Sequence, residues 1–251
     1  MWSKERDRKR RLLFQPLVLK HFTALLLLAF LLYLLFFISI ESIFTYGLGL
    51  HPMVTVSMIW LSLFGSSINI PVKEIVSDQP IVTLHEFSFF GFRWIIPDVV
   101  RRPKTIVAVN IGGAVIPILL SLYLLLYIIP FHDTSPLLTY LKIMIVTAIV
   151  VAVVNRFSKL IPGIGIAVPS FIPPITTALA TLLIYNIHIA SNPYVIAYVS
   201  GTLGTLIGAD ILNLTKISKV GAAIVSVGGA GTFDGIYMTA VISMLLILIF
   251  L

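Results

Sequence analysis

The chain of 251 residues contains no cysteine. Disulfide staples, thiolate metal sites and cysteine nucleophiles are therefore excluded. Charge is scarce as well: 11% of the residues are Asp, Glu, Lys or Arg, and 59% are hydrophobic. A soluble domain carries about 25% charged residues, so lipid is the expected solvent for most of this chain. Familiar catalytic signatures are missing too, with neither a Gly-x-x-x-x-Gly-Lys phosphate loop nor a His-Glu-x-x-His metal helix. The histidines His21, His51, His85, His132 and His188 are scattered, so no metal and no other cofactor is expected.

What charge there is lies in clusters. The net +7 could point to nucleic acid, but the placement of the basic residues points to a membrane and excludes that partner. Lys4, Arg6, Arg8, Lys9, Arg10, Arg11 and Lys20 precede an uncharged run, Phe22–Ile40, of 19 residues. That length crosses a ~30 Å hydrocarbon core as a helix. The run ends at Glu41-Ser42 without a small-residue cleavage site, so an uncleaved first span behind a basic tail, residues 1–21, is expected. Further spans are expected at Pro52–Ile70, Thr105–Ile129, Leu138–Val154, within Ile175–Ala190, at Tyr194–Leu214 and at Asp234–Leu251. With seven spans, every Lys and Arg except Lys142 falls on one side. The positive-inside rule makes that side the cytoplasm, with the C-terminus outside and the plasma membrane as location. Lys142 is expected to snorkel to the outer interface.

The expected fold is an all-α integral membrane bundle, residues 22–251, with two kinds of interruption. Within a cytoplasmic insertion, residues 71–104, Ile81–Phe90 and Phe92–Ile96 are β-branched and aromatic runs around Gly91, which predicts a β-hairpin. Elsewhere Gly and Pro break apolar sequence. Ile161–Pro174 includes Pro162, Gly163, Gly165 and Pro169, and Val220–Thr232 includes Gly229, Gly231 and Thr232. Irregular backbone at membrane depth must be buried in protein or line a watery cavity. Both segments are expected to be re-entrant and to contribute to a binding site for substrate or ion.

Only Asp210 and Asp234 are acids embedded in hydrophobic sequence. At 1.5 Å per residue Asp210 lies about 24 Å along the sixth span, and Asp234 opens the seventh, so both sit near the inner face. No Lys or Arg within these spans neutralises them. Two carboxylates brought together cannot both ionise comfortably and share a proton. Gly201, Gly204 and Gly208 form a close-packing stripe on the sixth span, and Gly208 and Asn213 flank Asp210. Asp210 falls opposite the stripe and so faces a different neighbour. A purely structural reading gives Asp210 to Asn213 and makes Asp234 a helix cap.

Val199–Leu214 followed by Ser226–Ile236, with Asn69-Ile-Pro71, Val109–Gly113 and Pro162–Pro169, resembles a family of archaeal and bacterial multi-pass proteins catalogued as domain of unknown function 1614. That resemblance implies a multi-pass membrane protein and brings no activity. The placing of Asp210 and Asp234 is similar in layout to the intramembrane aspartyl proteases related to presenilin and signal peptide peptidase, which implies a catalytic pair. The chain departs from that pattern: Phe233 rather than Gly precedes Asp234, no Tyr precedes Asp210, and no Pro-Ala-Leu follows. The leading expectation is an aspartyl-type membrane hydrolase using Asp210 and Asp234, with a membrane protein as substrate. The alternatives are a proton- or cation-coupled transporter or channel at the same acids, and a non-catalytic membrane scaffold. The oligomeric state is not legible in the sequence.

Overall fold

The computed structural model describes residues 19–78, 81–89, 92–100, 104–163, 165–229 and 235–251. Residues Met1–Ser39 and Ile40–Leu251 are separate compact units. The first contains most of helix α1, Leu19–Ser42, whose 24 residues rise about 36 Å. Most of the expected basic tail, and with it Gly231, Thr232 and Asp234, lies outside the described residues.

Three helical runs of the second unit are long and apolar enough to cross a membrane: α3, Ile111–His132; α4, Pro136–Phe157; and α6, Pro193–Lys219. Shorter apolar helices are α2, Pro52–Gly65; α5, Ile172–Ile184; and α7, Gly235–Phe250. Two thirds of the most apolar stretch of α6 is buried (67%) against 33% for α3 and α4, which makes α6 the central helix. Around it Val146, Val150, Val154, Ile196, Tyr198, Val199, Ala240, Met244 and Ile247 form one continuous apolar core. Pro stands in the first turn of α2, α4, α5 and α6, where its missing N–H leaves no bond unmade.

The β structure is larger than the expected hairpin. Strands β1, Asn69–Val76, and β4, Lys104–Asn110, pair antiparallel, and β7, Ile224–Val227, joins β4 in parallel. The hairpin itself, β2, Ile81–Phe89, with β3, Phe92–Val100, pairs Ile81 with Val100 and Phe89 with Phe92. Thus the second expected span stops at Gly65, and the first six residues of the third, from Thr105, are strand. The segment 161–174 contributes to a two-stranded ribbon, β5, Lys159–Ile161, with β6, Gly165–Ala167, and then to the first turn of α5. The second Gly-rich segment likewise contains a regular strand, β7.

Asn110 joins sheet to helices. Its amide donates to the Ser66 carbonyl at 2.6 Å and to Asn69 Oδ1 at 3.1 Å, and its Oδ1 accepts from the Gly113 N–H at 2.8 Å. Ser226 Oγ on β7 donates to the same Asn69 oxygen at 2.6 Å. Backbones press together here: a Cβ on Gly112 would overlap the Ser62 carbonyl oxygen, and one on Gly113 the Gly228 carbonyl oxygen. Gly228 holds φ +84°, a conformation open to glycine. A small second core of Val107, Ile217, Val220, Ala222 and Val225 lies against the sheet.

At the other end of the bundle Lys142 is buried rather than snorkelling. Its Nζ donates to the carbonyls of Tyr185 (2.7 Å) and Ile189 (2.5 Å) and to Ser191 Oγ (3.1 Å). The ammonium thus collects carbonyls released where α5 stops, which explains why the fifth expected span ends at Ile184 and not near Ala190.

Two stability predictions follow from these contacts. Gly112→Ala forces a backbone apart and is expected to cost ~1–3 kcal/mol, whereas Gly49→Ala, where nothing stands within 4 Å, loses only the smaller penalty of its φ of +72°. Lys142→Met keeps the stem but takes the donor from the Ile189 carbonyl, while the Tyr185 carbonyl keeps the Ser191 N–H and Ser191 Oγ keeps Thr139, and is expected to cost about 1–3 kcal/mol. Thermal unfolding in one detergent measures both; a Gly112→Ala protein as stable as wild type contradicts the first, and an unaffected Lys142→Met protein the second.

Candidate functional site

The site forms where α6 loses its regular winding. The helix is α over Pro193–Thr205, π over Leu206–Asp210 and 3₁₀ over Ile211–Lys219. A π-turn shifts bonding from i−4 to i−5 and releases carbonyls from the ladder. Side-chain amides take them up: Asn155 Nδ2 reaches the Gly208 carbonyl at 3.1 Å, and Asn213 Nδ2 reaches Gly208 at 3.3 Å and Ala209 at 2.8 Å. Asn213 also meets Ser158 Oγ at 3.1 Å and accepts from Lys216 Nζ at 2.7 Å. Asn213 and Gly208 therefore stabilise the break itself.

The glycines hold this helix against α4. A Cβ on Gly204 would stand 2.6 Å from Val150 Cγ1, and one on Gly208 2.8 Å from the Val151 carbonyl oxygen. Asp210, half-buried, lines a cavity of ≈ 460 Å³ bordered on another side by α7 through Gly235, Met238 and Ile242. The rest of the wall is Ile166, Ala167 and Val168 around β6, the turn Ser170-Phe171, Pro173 at the start of α5, and Thr205 and Ala209 of α6. Asp210, Ser170 and Thr205 thus line a mainly apolar hollow, with Thr205 Oγ1 itself buried, a composition usual for ligand pockets.

The structure gathers the expected site residues only in part. Asp210 shares the cavity with Gly235, the residue that follows Asp234 in the chain; Asp234 itself is among the undescribed residues. Pro162, Gly163, Gly165 and Pro169 support the wall rather than form it. Gly163 turns the ribbon at φ +77° and its N–H bonds the Val220 carbonyl at 2.7 Å, while the Pro169 carbonyl accepts from Ile172 at 3.1 Å. Gly229 bonds back to the Ser226 carbonyl at 3.3 Å. Among the described residues no three His, Cys, Asp or Glu side chains group as a metal site. On β1 and β4, Lys104 donates to Glu74 at 2.7 Å, and this bond to the carboxylate raises the ammonium pKa.

Sequence reasoning missed Ser170 and Thr205. Thr205 is 2% exposed, and its Oγ1 has no hydrogen-bond partner. The signal was present: Thr205 lies five residues before Asp210, and a π-turn brings that spacing towards one side of a helix. An α-helical count does not show it.

No curated protein and no solved structure matches this chain. A family model described as "Protein of unknown function (DUF1614)" matches residues 63–246, which contain the sheet, the broken α6, the cavity wall and most of α7. Asn69, Asn110 and Ser226, drawn from three separate motifs of that stretch, meet in one hydrogen-bonded cluster. The chain belongs to the DUF1614 family.

Proposed function

We propose that this protein is a multi-pass membrane hydrolase in which Asp210 and Asp234 act as an acid–base pair on a polypeptide substrate held in the membrane. The observation that carries the reading is the shared cavity: Asp210 lines it from α6, and Gly235, peptide-bonded to Asp234, lines it from the first residue of α7. In the reaction, one carboxylate takes a proton from water as the water oxygen bonds to the scissile carbonyl carbon. The protonated carboxyl of the pair then donates to the amide nitrogen as the C–N bond breaks. An acid and an amine leave, one water is consumed, and the pair again holds one proton. A carboxyl pair of this kind works because like charges side by side drive their proton affinities apart.

A cation-coupled role finds less support. Ion sites at broken helices use the unwound carbonyls as ligands, and here Gly208 and Ala209 already accept from Asn155 and Asn213.

The proposed topology has seven crossings of the plasma membrane, the N-terminus inside and the C-terminus outside, on the placing of the basic residues. A chain without cysteine suits single-cysteine labelling. Thr134→Cys is expected to react with an impermeant maleimide in intact cells, and Lys104→Cys only after permeabilisation; the reverse pattern contradicts the orientation.

For the reaction, purified protein in liposomes is expected to cleave a single-span reporter. Asp210→Asn or Asp234→Asn is expected to lower turnover by ~10²–10⁴ while the unfolding temperature stays close to wild type. Undiminished cleavage in both variants overturns the proposal.

A further inference from the structure

Four basic side chains stand at the end of the bundle where α4 and α6 finish. Arg156 lies in the last turn of α4 and Lys159 opens β5, while Lys216 and Lys219 lie in the 3₁₀ stretch of α6. All four are exposed. Two hydrogen bonds tie these ends together: Lys216 Nζ donates to Asn213 Oδ1 at 2.7 Å, and Asn213 Nδ2 donates to Ser158 Oγ at 3.1 Å. Ser158, the residue before Lys159, donates in turn to the carbonyl of Asn155, the residue before Arg156, at 2.8 Å. In a 3₁₀-helix side chains three residues apart eclipse one another. Lys219 therefore follows Lys216 on the row that Asn213 begins, and the Asn213 bond sets that row beside the end of α4.

Like charges gathered in this way repel one another, and the chain supplies little to offset them. Among the described residues none of the four pairs with a carboxylate; the ion pair there is Lys104 with Glu74, on the sheet. Asp78 accepts from Ser218 Oγ at 2.8 Å, next to Lys219 in the chain, and offsets one charge of the four. Asp210 lines the cavity.

The neighbouring side chains show what carries the missing negative charge. Phe157, Leu160 and Ile161, around the end of α4 and along β5, are exposed, and so are Ile211, Leu212 and Leu214 on α6. Apolar and basic side chains exposed together mark an element lying between headgroups and acyl chains. A free anion would answer the cations and leave these six side chains in water. An anionic phospholipid covers both, its phosphate among the cations and its acyl chains along the apolar residues. Basic pockets between adjacent spans suit such headgroups.

We infer that Arg156, Lys159, Lys216 and Lys219 together bind the phosphate of an anionic phospholipid at the joined ends of α4 and α6. The assignment does not rest on the hydrolase reading.

Native mass spectrometry of the full-length protein in neutral detergent tests it, with phosphatidylglycerol set against phosphatidylcholine of the same acyl chains. Phosphatidylglycerol is expected to bind more tightly, by about ten-fold or more. Arg156→Gln, Lys159→Gln and Lys219→Gln are each expected to weaken it by about five-fold, and the triple variant to bring it to the level of phosphatidylcholine. All three side chains are exposed, so the variants are expected to fold, with an unfolding temperature close to wild type. Arg8→Gln, Lys9→Gln and Arg10→Gln combined in the basic tail remove as many charges and are expected to leave the binding in place. Phosphatidylglycerol bound no more tightly than phosphatidylcholine overturns the inference. So does a triple variant that binds like wild type, or a tail variant that loses as much. Glycerophosphoglycerol, the headgroup without acyl chains, is expected to bind far more weakly; equal binding overturns the assignment to a membrane lipid.

Discussion

The fold depends on the contact of backbone with backbone around Asn110. Its amide joins the end of α2 and the start of β1 to the first turn of α3. Behind it Gly112 and Gly113 let two carbonyls approach where any Cβ would stand in the way. One of those carbonyls belongs to Gly228, which directly follows β7. The parallel pairing of β7 with β4, together with this contact, fixes the backbone up to Gly228.

A second constraint acts on the first wall. The π-turn of α6 frees carbonyls that cannot remain bare in an apolar interior. Asn155 and Asn213 accept that task, and Lys216 holds Asn213 in place. With the break satisfied from the α4 side, Asp210 is left to face α7 and β6. Glycines pressed against Val150 and Val151 allow α6 to lie close enough for the Asn155 bond to form. Packing, winding and chemistry are thus linked along one helix: small residues on one side, amides at the break, a carboxylate opposite.

Much of this was legible in the residues. Apolar runs between charge clusters mark α3, α4, α6 and α7, while the expected Gly stripe divides: Gly204 and Gly208 pack against α4, but Gly201 packs against Thr177 of α5 and Thr239 of α7. The pairing of β2 with β3 was legible because both runs are β-branched and aromatic. Strands β1 and β4 were not. Thr105–Asn110 continues without a charged residue into Ile111, so strand and span read as one apolar run, and only Asn110-Ile-Gly-Gly marks the joint. The strand β7 was hidden inside a Gly-rich segment, since its partner lies more than a hundred residues earlier and parallel pairing leaves no local pattern. Lys142 was misplaced because snorkelling assumes water as the nearest acceptor, and a helix end supplied carbonyls first. The role of Asn213 emerges only once the helix is seen to break.

The proposed hydrolase requires Asp210 and Asp234 to meet at one cavity. The absence of native cysteine permits a direct measurement: the paired substitutions Asp210→Cys and Asp234→Cys in one chain, treated in membranes with a short bifunctional thiosulfonate. The account predicts rapid intramolecular cross-linking, read as protection of both thiols from later alkylation. Two thiols that each react with a monofunctional reagent, yet never with one another, would contradict it.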